Sequence, residues 1–257
     1  MMCHYFSLTD PGRVRTNNED ALAVRPEAGL VVLADGMGGY NAGEVASQMV
    51  TDLIARTLGD WLTQGLAGPR EVRLALKDSV TAANLAVYEA AQNNPSHQGM
   101  ATTLVVAVFG GARLTVGHVG DSRLYRLRQG QLATLTRDHS LVQEQVDAGL
   151  VPPELARTAQ YRNLVTRAVG VAPQVELDVA EHVVLLGDTY LFCSDGLNDM
   201  LPDGQIEHIL KTHKPLEAAG QALLTQANQA GGRDNISLVL VQCAPQPLRG
   251  HPETPSP

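Results

Sequence analysis

Short runs of apolar and β-branched residues stand in blocks, apart from longer stretches in which apolar residues recur every three or four positions. The runs predict about seven strands: Leu30–Ala34, Thr102–Phe109, Arg113–Val119, Arg123–Leu127, Val175–Val184, Thr189–Cys193 and Ile236–Gln242. The helical spacing predicts helices at Glu44–Leu58, Val72–Gln92, Leu141–Ala148 and Leu216–Ala230. Because strands follow one another through tight turns and do not alternate regularly with helices, the pattern favours antiparallel sheets covered by helices. It predicts a layered α+β fold.

One domain is expected to fill most of the chain. The 257 residues are 44% hydrophobic, which is enough apolar material for one large core. No linker, low-complexity segment or internal repeat interrupts residues 5–243. Five of the 14 prolines follow residue 244, and this composition cannot bury a core. We therefore expect one domain over residues 1–243 and a disordered tail over residues 244–257.

Charge and composition exclude several classes of function. With 27 acidic and 19 basic residues the formal net charge is −8, so the chain lacks the positive charge that drives nucleic-acid binding. Its apolar runs stay far below the roughly 20 residues that cross a bilayer. Its first residues lack the basic start and the apolar stretch of a secretory signal. We therefore expect a cytoplasmic protein without a membrane span and without nucleic acid as a partner.

The cysteines and histidines show no spacing typical of zinc sites. Cys3, Cys193 and Cys243 are far apart and form no Cys-x-x-Cys pair, so they are expected to be buried or incidental thiols. None of the eight histidines forms a His-Glu-x-x-His pair. His118 is expected to be a sheet residue satisfied by a neighbour. His139 is expected in a loop, where contact with a substrate stays open.

Four aspartates stand at the ends of predicted strands. Asp35, Asp121 and Asp195 follow strands, and Asp234 precedes the last one. Each alone fits an ordinary turn. Strand ends of packed sheets can converge, however, and carboxylate oxygens without matching Cys or His clusters suit hard cations such as Mg²⁺ and Mn²⁺. Gly36 lets its own carbonyl approach a cation closely, although glycine after aspartate also suits a tight turn. For these residues, a metal site and a set of ordinary turns therefore both remain open as interpretations.

Two polar segments can be interpreted either as ordinary turns or as parts of a binding site. The glycine-rich segment 35–43 leads from a strand into a helix but matches no nucleotide-binding register, so a flexible turn is favoured. Thr9–Asp20 places Arg13 and Arg15 among acidic residues before any strong strand, which is typical of a solvated turn. An arginine beside a carboxylate cluster also suits an anionic group, because its planar fork matches phosphate oxygens in pairs.

Six short segments, each a weak pattern alone, follow one another within residues 5–241. They are Arg15–Asp20, Ala34–Gly39, Gly99–Leu104, His118–Arg123, Ser194–Leu197 and Gly232–Ser237. Together, in this order and with these separations, they resemble the metal-dependent protein phosphatase family, type 2C, in its bacterial serine/threonine form. The resemblance implies a four-layer αββα sandwich, in which two antiparallel β-sheets are flanked by helices. It also implies an active site at the sheet edges.

The resemblance assigns roles to individual residues. Asp35 would bridge two Mn²⁺ or Mg²⁺ ions, Gly36 would give its carbonyl to the first, and Asp195 and Asp234 would hold the second. A third, weaker ion would use Asp121 together with Asp195. Glu19 and Asp20 would act mainly through metal-bound waters. Arg15 matches the family's phosphate-binding arginine, and Arg13 does not.

The implied reaction is the hydrolysis of phosphoserine and phosphothreonine in proteins, reversing a bacterial serine/threonine kinase. Two neighbouring cations lower the pKa of a shared water, so that hydroxide attacks phosphorus in line and no protein nucleophile is needed. Arg15 would clamp the phosphoryl oxygens. A monomer is expected.

The chain departs from the family pattern at three positions. Met37 stands where some members carry a histidine that is a candidate acid, and a thioether supplies no proton; we therefore expect a metal-bound water to be the acid. Tyr40 stands at another histidine position, and Ala101 replaces a glycine. Residues 139–165 correspond to the family's variable flap and are the expected place for substrate selection.

Three other functions stay open at this stage. The same fold can serve one dedicated regulatory partner. A non-catalytic phosphoprotein-binding module is a second alternative, although it would be expected to lose some of the acids that are present here. The third is a structural metal protein whose acids cap turns.

Overall fold

The computed structural model describes residues 2–38, 42–65, 67–159 and 161–244. Its strands are β1 (Met2–Asp10), β2 (Asp20–Arg25), β3 (Leu30–Met37), β4 (Ala101–Thr102), β5 (Leu104–Gly110), β6 (Arg113–Val119), β7 (Arg123–Arg128), β8 (Gln131–Thr134), β9 (Asp178–Val183), β10 (Thr189–Cys193) and β11 (Ile236–Ala244). Its α-helices are α1 (Ala42–Thr63), α2 (Pro69–Asn93), α3 (Leu141–Asp147), α4 (Asp195–Asn198), α5 (Asp203–Thr212) and α6 (Leu216–Gln229). Short 3₁₀ turns lie at Pro26–Ala28, Pro95–His97 and Pro153–Thr158.

The strands form two sheets in which all pairs are antiparallel. One sheet has the order β1-β11-β10-β7-β8. The other has the order β2-β3-β5-β6-β9, and the short β4 pairs with the end of β3. The antiparallel α+β prediction is therefore confirmed.

Side chains that alternate along each strand build three apolar layers. In β3, Val31 and Leu33 face the other sheet, while Leu30 and Val32 face α1 and α2. Residues of β11 alternate in the same way between the sheet interface and the helices α4 to α6. These layers confirm the αββα sandwich.

The strongest apolar runs were predicted correctly, but three strands and two helices were missed. β1, β2, β8, α4 and α5 have weak local patterns, and β1 and β8 lie at sheet edges with only partial burial. Tertiary pairing stabilises them: Phe6 lies opposite Leu240, far along the chain. The turn predicted within residues 9–20 is present and exposed, but it joins β1, which ends at Asp10, to β2, which begins at Asp20, and does not lie ahead of the strands.

Several boundaries differ from those predicted, and two of them affect the site and the end of the domain. The expected strand Thr102–Phe109 is broken at Thr103, and the expected boundary at residue 243 falls one residue short of the end of β11 at Ala244. The remainder of the expected tail, residues 245–257, lies outside the described residues, as does Tyr40. Within the described ranges, no helix has the length and apolar character needed to cross a membrane.

Candidate active site

An acidic cavity of about 280 Å³ opens where the ends of both sheets meet the segment between β1 and β2. It is lined by Arg15, Glu19, Asp35, Gly36, Met37, Gly38, Thr103, Asp121, Asn163, Val165, Asp195 and Asp234. The structure thus brings together all the sequence-predicted site residues except Asp20, which is buried and does not line the cavity. Arg13 does not line the cavity, in agreement with the distinction between the two arginines.

Asp35 lies inside β3 and not at its end, which corrects the sequence analysis. Asp35 lies opposite Asp20 on β2, and the next residue, Gly36, lies opposite Thr102 on β4. Thr103 fixes the backbone there: the Asp35 N–H donates to Thr103 Oγ1 over 3.0 Å, and the Thr103 N–H donates to the Asp35 carbonyl over 2.8 Å. The break between β4 and β5 therefore holds the carboxylate toward the cavity.

Gly36 is required by packing as well as by any approach to a cation. A Cβ at this position would overlap the carbonyl oxygen of Gly43 in α1 and would lie 2.5 Å from the carbonyl oxygen of Glu19. Gly36 also lies within a strand, so the tight-turn interpretation is wrong. Its N–H donates to the Glu19 carbonyl over 3.1 Å, which ties the β3 end to the start of β2.

Asp20 is buried, and one of its oxygens has no partner. Ser194 Oγ donates to Asp20 Oδ2 over 2.8 Å, while Oδ1 is buried without a hydrogen bond in the described part of the chain. Burial raises the pKa of Asp20 to about 6. A buried carboxylate oxygen without a donor is costly, so this atom points to a missing cationic or hydrogen-bonding partner.

Asp121 lies in the turn after β6, and Asp195 is the first residue of α4. Both line the cavity. Burial, followed by the charge of Asp138, raises the pKa of Asp121 to about 7. Burial, followed by the charge of Asp121, raises the pKa of Asp195 well above its usual range. Asp35 behaves likewise, because it is desolvated beside Asp20 and Asp195. Like charges this close are unfavourable without a cation between them.

Arg15 and Asp234 form an ion pair at the rim of the cavity. Arg15 Nη2 donates to Asp234 Oδ2 over 2.7 Å, and the arginine side chain is 50% exposed. This hydrogen bond raises the pKa of Arg15 further. The segment that carries Arg15 is anchored by buried Asn235, whose side chain donates to the Pro11 and Asn17 carbonyls and accepts the Glu19 N–H.

The donor set fits hard divalent cations. Five carboxylates, from Glu19, Asp35, Asp121, Asp195 and Asp234, line one cavity, and among the described residues that line it with them there is no thiolate and no imidazole. Oxygen donors of this kind suit Mg²⁺ and Mn²⁺. The raised pKa values of Asp35 and Asp195 and the unpartnered oxygen of Asp20 fit a site whose carboxylates bind cations.

Comparison with known proteins decides what kind of site this is. Residues 12–236 match the family model described as "Protein phosphatase 2C". The chain belongs to the protein phosphatase 2C family. It is a protein phosphatase, and therefore a phosphoric monoester hydrolase.

Named relatives agree with this assignment. The serine/threonine phosphatase stp of Listeria innocua is 37% identical over 91% of this chain and 93% of its own length. The crystal structure of the Mycobacterium tuberculosis serine/threonine phosphatase PstP/Ppp superimposes with a TM-score of 0.88 at 37% identity, covering 95% of this chain and all of that one. A crystal structure of the PstP catalytic domain in complex with two manganese ions has a TM-score of 0.84 at 36% identity, covering 95% of this chain and 99% of that one.

The phosphatase carries a flap beside the cavity, at the position predicted. Its base is closed by the Ser140–Val165 bridge and by the Thr166 N–H, which donates to the His139 carbonyl over 2.8 Å. Sequence reasoning missed that flap residues Asn163 and Val165 line the cavity itself. Their signal was absent because neither residue type marks a site. Asn235 had a signal, its place beside Asp234, but no role was derived for it.

The cluster of His118, His139 and Asp178 positions the loop of Asp121 and does not fit a metal. Its donor atoms lie within 4.8 Å of one another. However, His139 Nδ1 accepts the Gly120 N–H over 3.1 Å, so in the neutral ring Nε2 carries the hydrogen and faces Asp178. His118 is satisfied by the Arg137 carbonyl over 2.8 Å, as predicted. His139 is buried and does not line the cavity, so substrate contact is not its role here.

The metal-free phosphatase should lose stability as the pH rises. The folded state holds protons on Asp20 and Asp121 up to about pH 6 and about pH 7, whereas an unperturbed aspartate releases them near pH 3.8. Because the folded state binds more protons across this window, the free energy of unfolding falls between about pH 4 and about pH 7. We expect the melting temperature of the chelated protein to fall over that range and saturating Mn²⁺ to offset the fall. A chelated protein that becomes more stable across the window would contradict this.

Proposed function

We propose that this phosphatase hydrolyses phosphoserine and phosphothreonine in proteins, using Mn²⁺ or Mg²⁺, and so reverses a serine/threonine kinase. The observation that carries the proposal is the convergence of five carboxylates and one arginine on a single cavity. The activities named for the relatives support the choice of serine and threonine esters.

Two ions would occupy the core of the site. Asp35 would hold both, the Gly36 carbonyl the first, and Asp195 and Asp234 the second. Asp121 with Asp195 would hold a weaker third ion, and Glu19 and Asp20 would act through water. When bound, such ions lower the pKa of water and offset the charge of a phosphate ester near neutral pH. The two manganese ions of the PstP complex support the count.

The chain's own groups would orient the phosphate ester. Arg15 stands at the rim, half exposed and already hydrogen-bonded to Asp234, so its remaining donors can reach phosphoryl oxygens in a bidentate manner. Asp234 thereby holds the guanidinium beside the cavity. The charge that builds on the phosphoryl oxygens in the transition state would be offset by this fixed donor, whose orientation requires no rearrangement during the reaction.

The proton for the departing serine or threonine oxygen would come from water. Met37 lines the cavity at the position of the family's candidate acid, but its thioether has no proton to give. His139 is turned away, since its ring bonds Gly120 and Asp178. Among the described residues that line the cavity there is therefore no histidine that could donate this proton.

The flap would select protein substrates. It exposes the apolar side chains of Leu155, Tyr161 and Leu164, and its residues Asn163 and Val165 line the cavity. Arginines hold it over the end of α4: Arg157 donates to the Asp199 carbonyl over 3.2 Å, and Arg162 lies 3.4 Å from the Asp199 carboxylate. Exposed apolar residues beside a catalytic cavity are typical of a surface that contacts a protein chain.

We expect the double variant Tyr161→Ser and Leu164→Ser to lower kcat/KM for a phosphoprotein about tenfold, since two apolar contacts would be lost. Turnover of a small aryl phosphate should be nearly unchanged, because it fits inside the cavity. Val171→Ser is the control, as Val171 is an apolar residue at least as exposed as Tyr161 and Leu164 but lies outside the flap. Equal losses on both substrates would refute recognition by the flap.

We infer further that the phosphatase acts as a monomer in the cytoplasm. All the residues proposed to hold the ions and the phosphate belong to one chain and reach a single cavity, so the proposed reaction needs no residue from a second copy. Kinases of the kind that it would oppose draw on cytoplasmic ATP, which supports the location. The partners would be phosphorylated proteins and the kinase that modifies them.

The test is phosphate release from two peptides of one sequence, one carrying phosphothreonine and the other phosphotyrosine, with Mn²⁺ and with Mg²⁺. We expect turnover of the phosphothreonine peptide with either ion and much slower turnover of the phosphotyrosine peptide. Equal rates on both peptides would contradict the proposed substrate class.

A further inference from the structure

Cys3 and Cys243 lie directly opposite each other on the paired strands β1 and β11, although 240 positions separate them in the chain. Their sulfur atoms are 3.0 Å apart. The sequence analysis expected incidental thiols, because spacing along the chain gives no hint of this pairing. Cys193, the third cysteine, is fully buried on β10 and contacts Asn198 instead.

The local ladder allows a covalent bond between the two strands. The Cys243 N–H donates to the Asp188 carbonyl and its carbonyl accepts the Gly187 N–H, so both backbone groups point away from β1. Cys3 and Cys243 therefore form a non-hydrogen-bonded pair, in which Cα atoms of antiparallel strands lie about 4.5 Å apart. Disulfides span Cα separations from about 4.4 to 6.8 Å. The bond can form without moving either strand far.

The two thiols differ in access and in acidity. Cys3 is half-buried and lines a surface cavity of about 370 Å³, whereas Cys243 is fully buried and does not line it. The hydrogen bond from the Cys243 thiol lowers the pKa of Cys3. The same contact, together with burial, raises the pKa of Cys243. Cys3 is thus the thiol that a small oxidant meets first, and Cys243 is placed to react next.

We propose that Cys3 and Cys243 form a reversible cross-strand disulfide when the phosphatase meets a peroxide. The Cys3 thiol releases its proton, its thiolate attacks one peroxide oxygen and the O–O bond breaks, which leaves a sulfenic acid on Cys3 and a hydroxide that takes up the released proton to become water. The Cys243 sulfur then attacks the Cys3 sulfur, the S–O bond breaks, and the Cys243 proton leaves with the hydroxyl as water. Two thiols are oxidised and one peroxide is reduced to two waters. The bond fastens the edge strand β1, which leads into the segment carrying Arg15.

The test treats the full chain with hydrogen peroxide, alkylates the remaining thiols and maps linked peptides by mass spectrometry. We expect a Cys3–Cys243 peptide in the wild type and in Cys193→Ser, a higher melting temperature because the bond closes nearly the whole described chain, and reversal of both by a dithiol reductant. Cys3→Ser should show neither change. Cys243→Ser should leave a sulfenic acid on Cys3 that a dimedone-type reagent traps.

Two results would overturn the proposal. One is oxidation of Cys3 to the sulfinic acid in the wild type with no linked peptide. The other is a melting-temperature increase of the same size in Cys3→Ser. Neither result bears on phosphate release, so the disulfide and the phosphatase activity are tested separately.

Discussion

Asp195→Asn should abolish turnover while leaving the fold intact. The substitution removes a carboxylate proposed to hold two of the ions, and we expect the affinity for Mn²⁺ to fall by more than about a hundredfold, since even an outer partner of a metal ligand is worth about 10- to 100-fold. Phosphate release should fall at least as far. The measurements are calorimetric titration with Mn²⁺ and initial rates on a phosphothreonine peptide.

The stability of this variant separates a functional loss from misfolding. Burial and the charge of Asp121 raise the pKa of Asp195, so its charge is unfavourable in the metal-free protein. A neutral side chain of the same shape removes that repulsion, and we expect the chelated variant to melt no lower than the wild type. Asp203→Asn is the matched control, because Asp203 also begins a helix but lies outside the cavity. An inactive variant with unchanged Mn²⁺ affinity would contradict the assignment of Asp195 as a ligand.

Arg15→Ala should lower kcat/KM by about a hundredfold, the usual effect of removing one fixed donor to transition-state charge. The affinity for Mn²⁺ should fall less than the rate, because every proposed ligand remains and only the hydrogen bond of Arg15 to one of them, Asp234, is lost. Arg15→Lys should recover a minor part of the rate, because an ammonium lacks the planar fork.

Arg13→Ala is the control for this pair of variants. Arg13 lies two positions away and is exposed, but it does not line the cavity. Its backbone N–H, which donates to the Gly232 carbonyl over 2.7 Å, is kept in the variant. If Arg13→Ala lost as much activity as Arg15→Ala, the loss would come from disturbing the segment and not from the phosphate contact.

The apolar pattern predicted the layers of the fold well, because buried strands such as β3, β6 and β10 carry their own signal. Edge strands lack such a signal, because only part of each is buried. β1 is held by pairing with β11, and its weak alternation gave no prediction. Because β1 was missed, the turn in segment 9–20 was predicted but placed ahead of the sheets, whereas it connects β1 with β2.

The acids of the site were singled out by their shared position at the ends of predicted strands and by the family resemblance, although each alone fits an ordinary turn. The contacts that hold these acids and Arg15 in place could not be predicted from the sequence. Thr103 fixes Asp35, and Asn235 anchors the Arg15 segment, through backbone hydrogen bonds between positions far apart in the chain. The opposition of Cys3 and Cys243 is likewise a matter of strand register, which local spacing does not contain.

The central claim is that carboxylate-held cations are required for phosphate release. The most direct test is to measure bound Mn²⁺ and phosphate release together, on one sample that is first chelated and then titrated with the ion. We predict no turnover in the chelated protein, and turnover that rises in proportion to occupancy of the sites formed by Asp35, Asp195 and Asp234. Full turnover in the chelated protein, with no Mn²⁺ bound, would contradict the account.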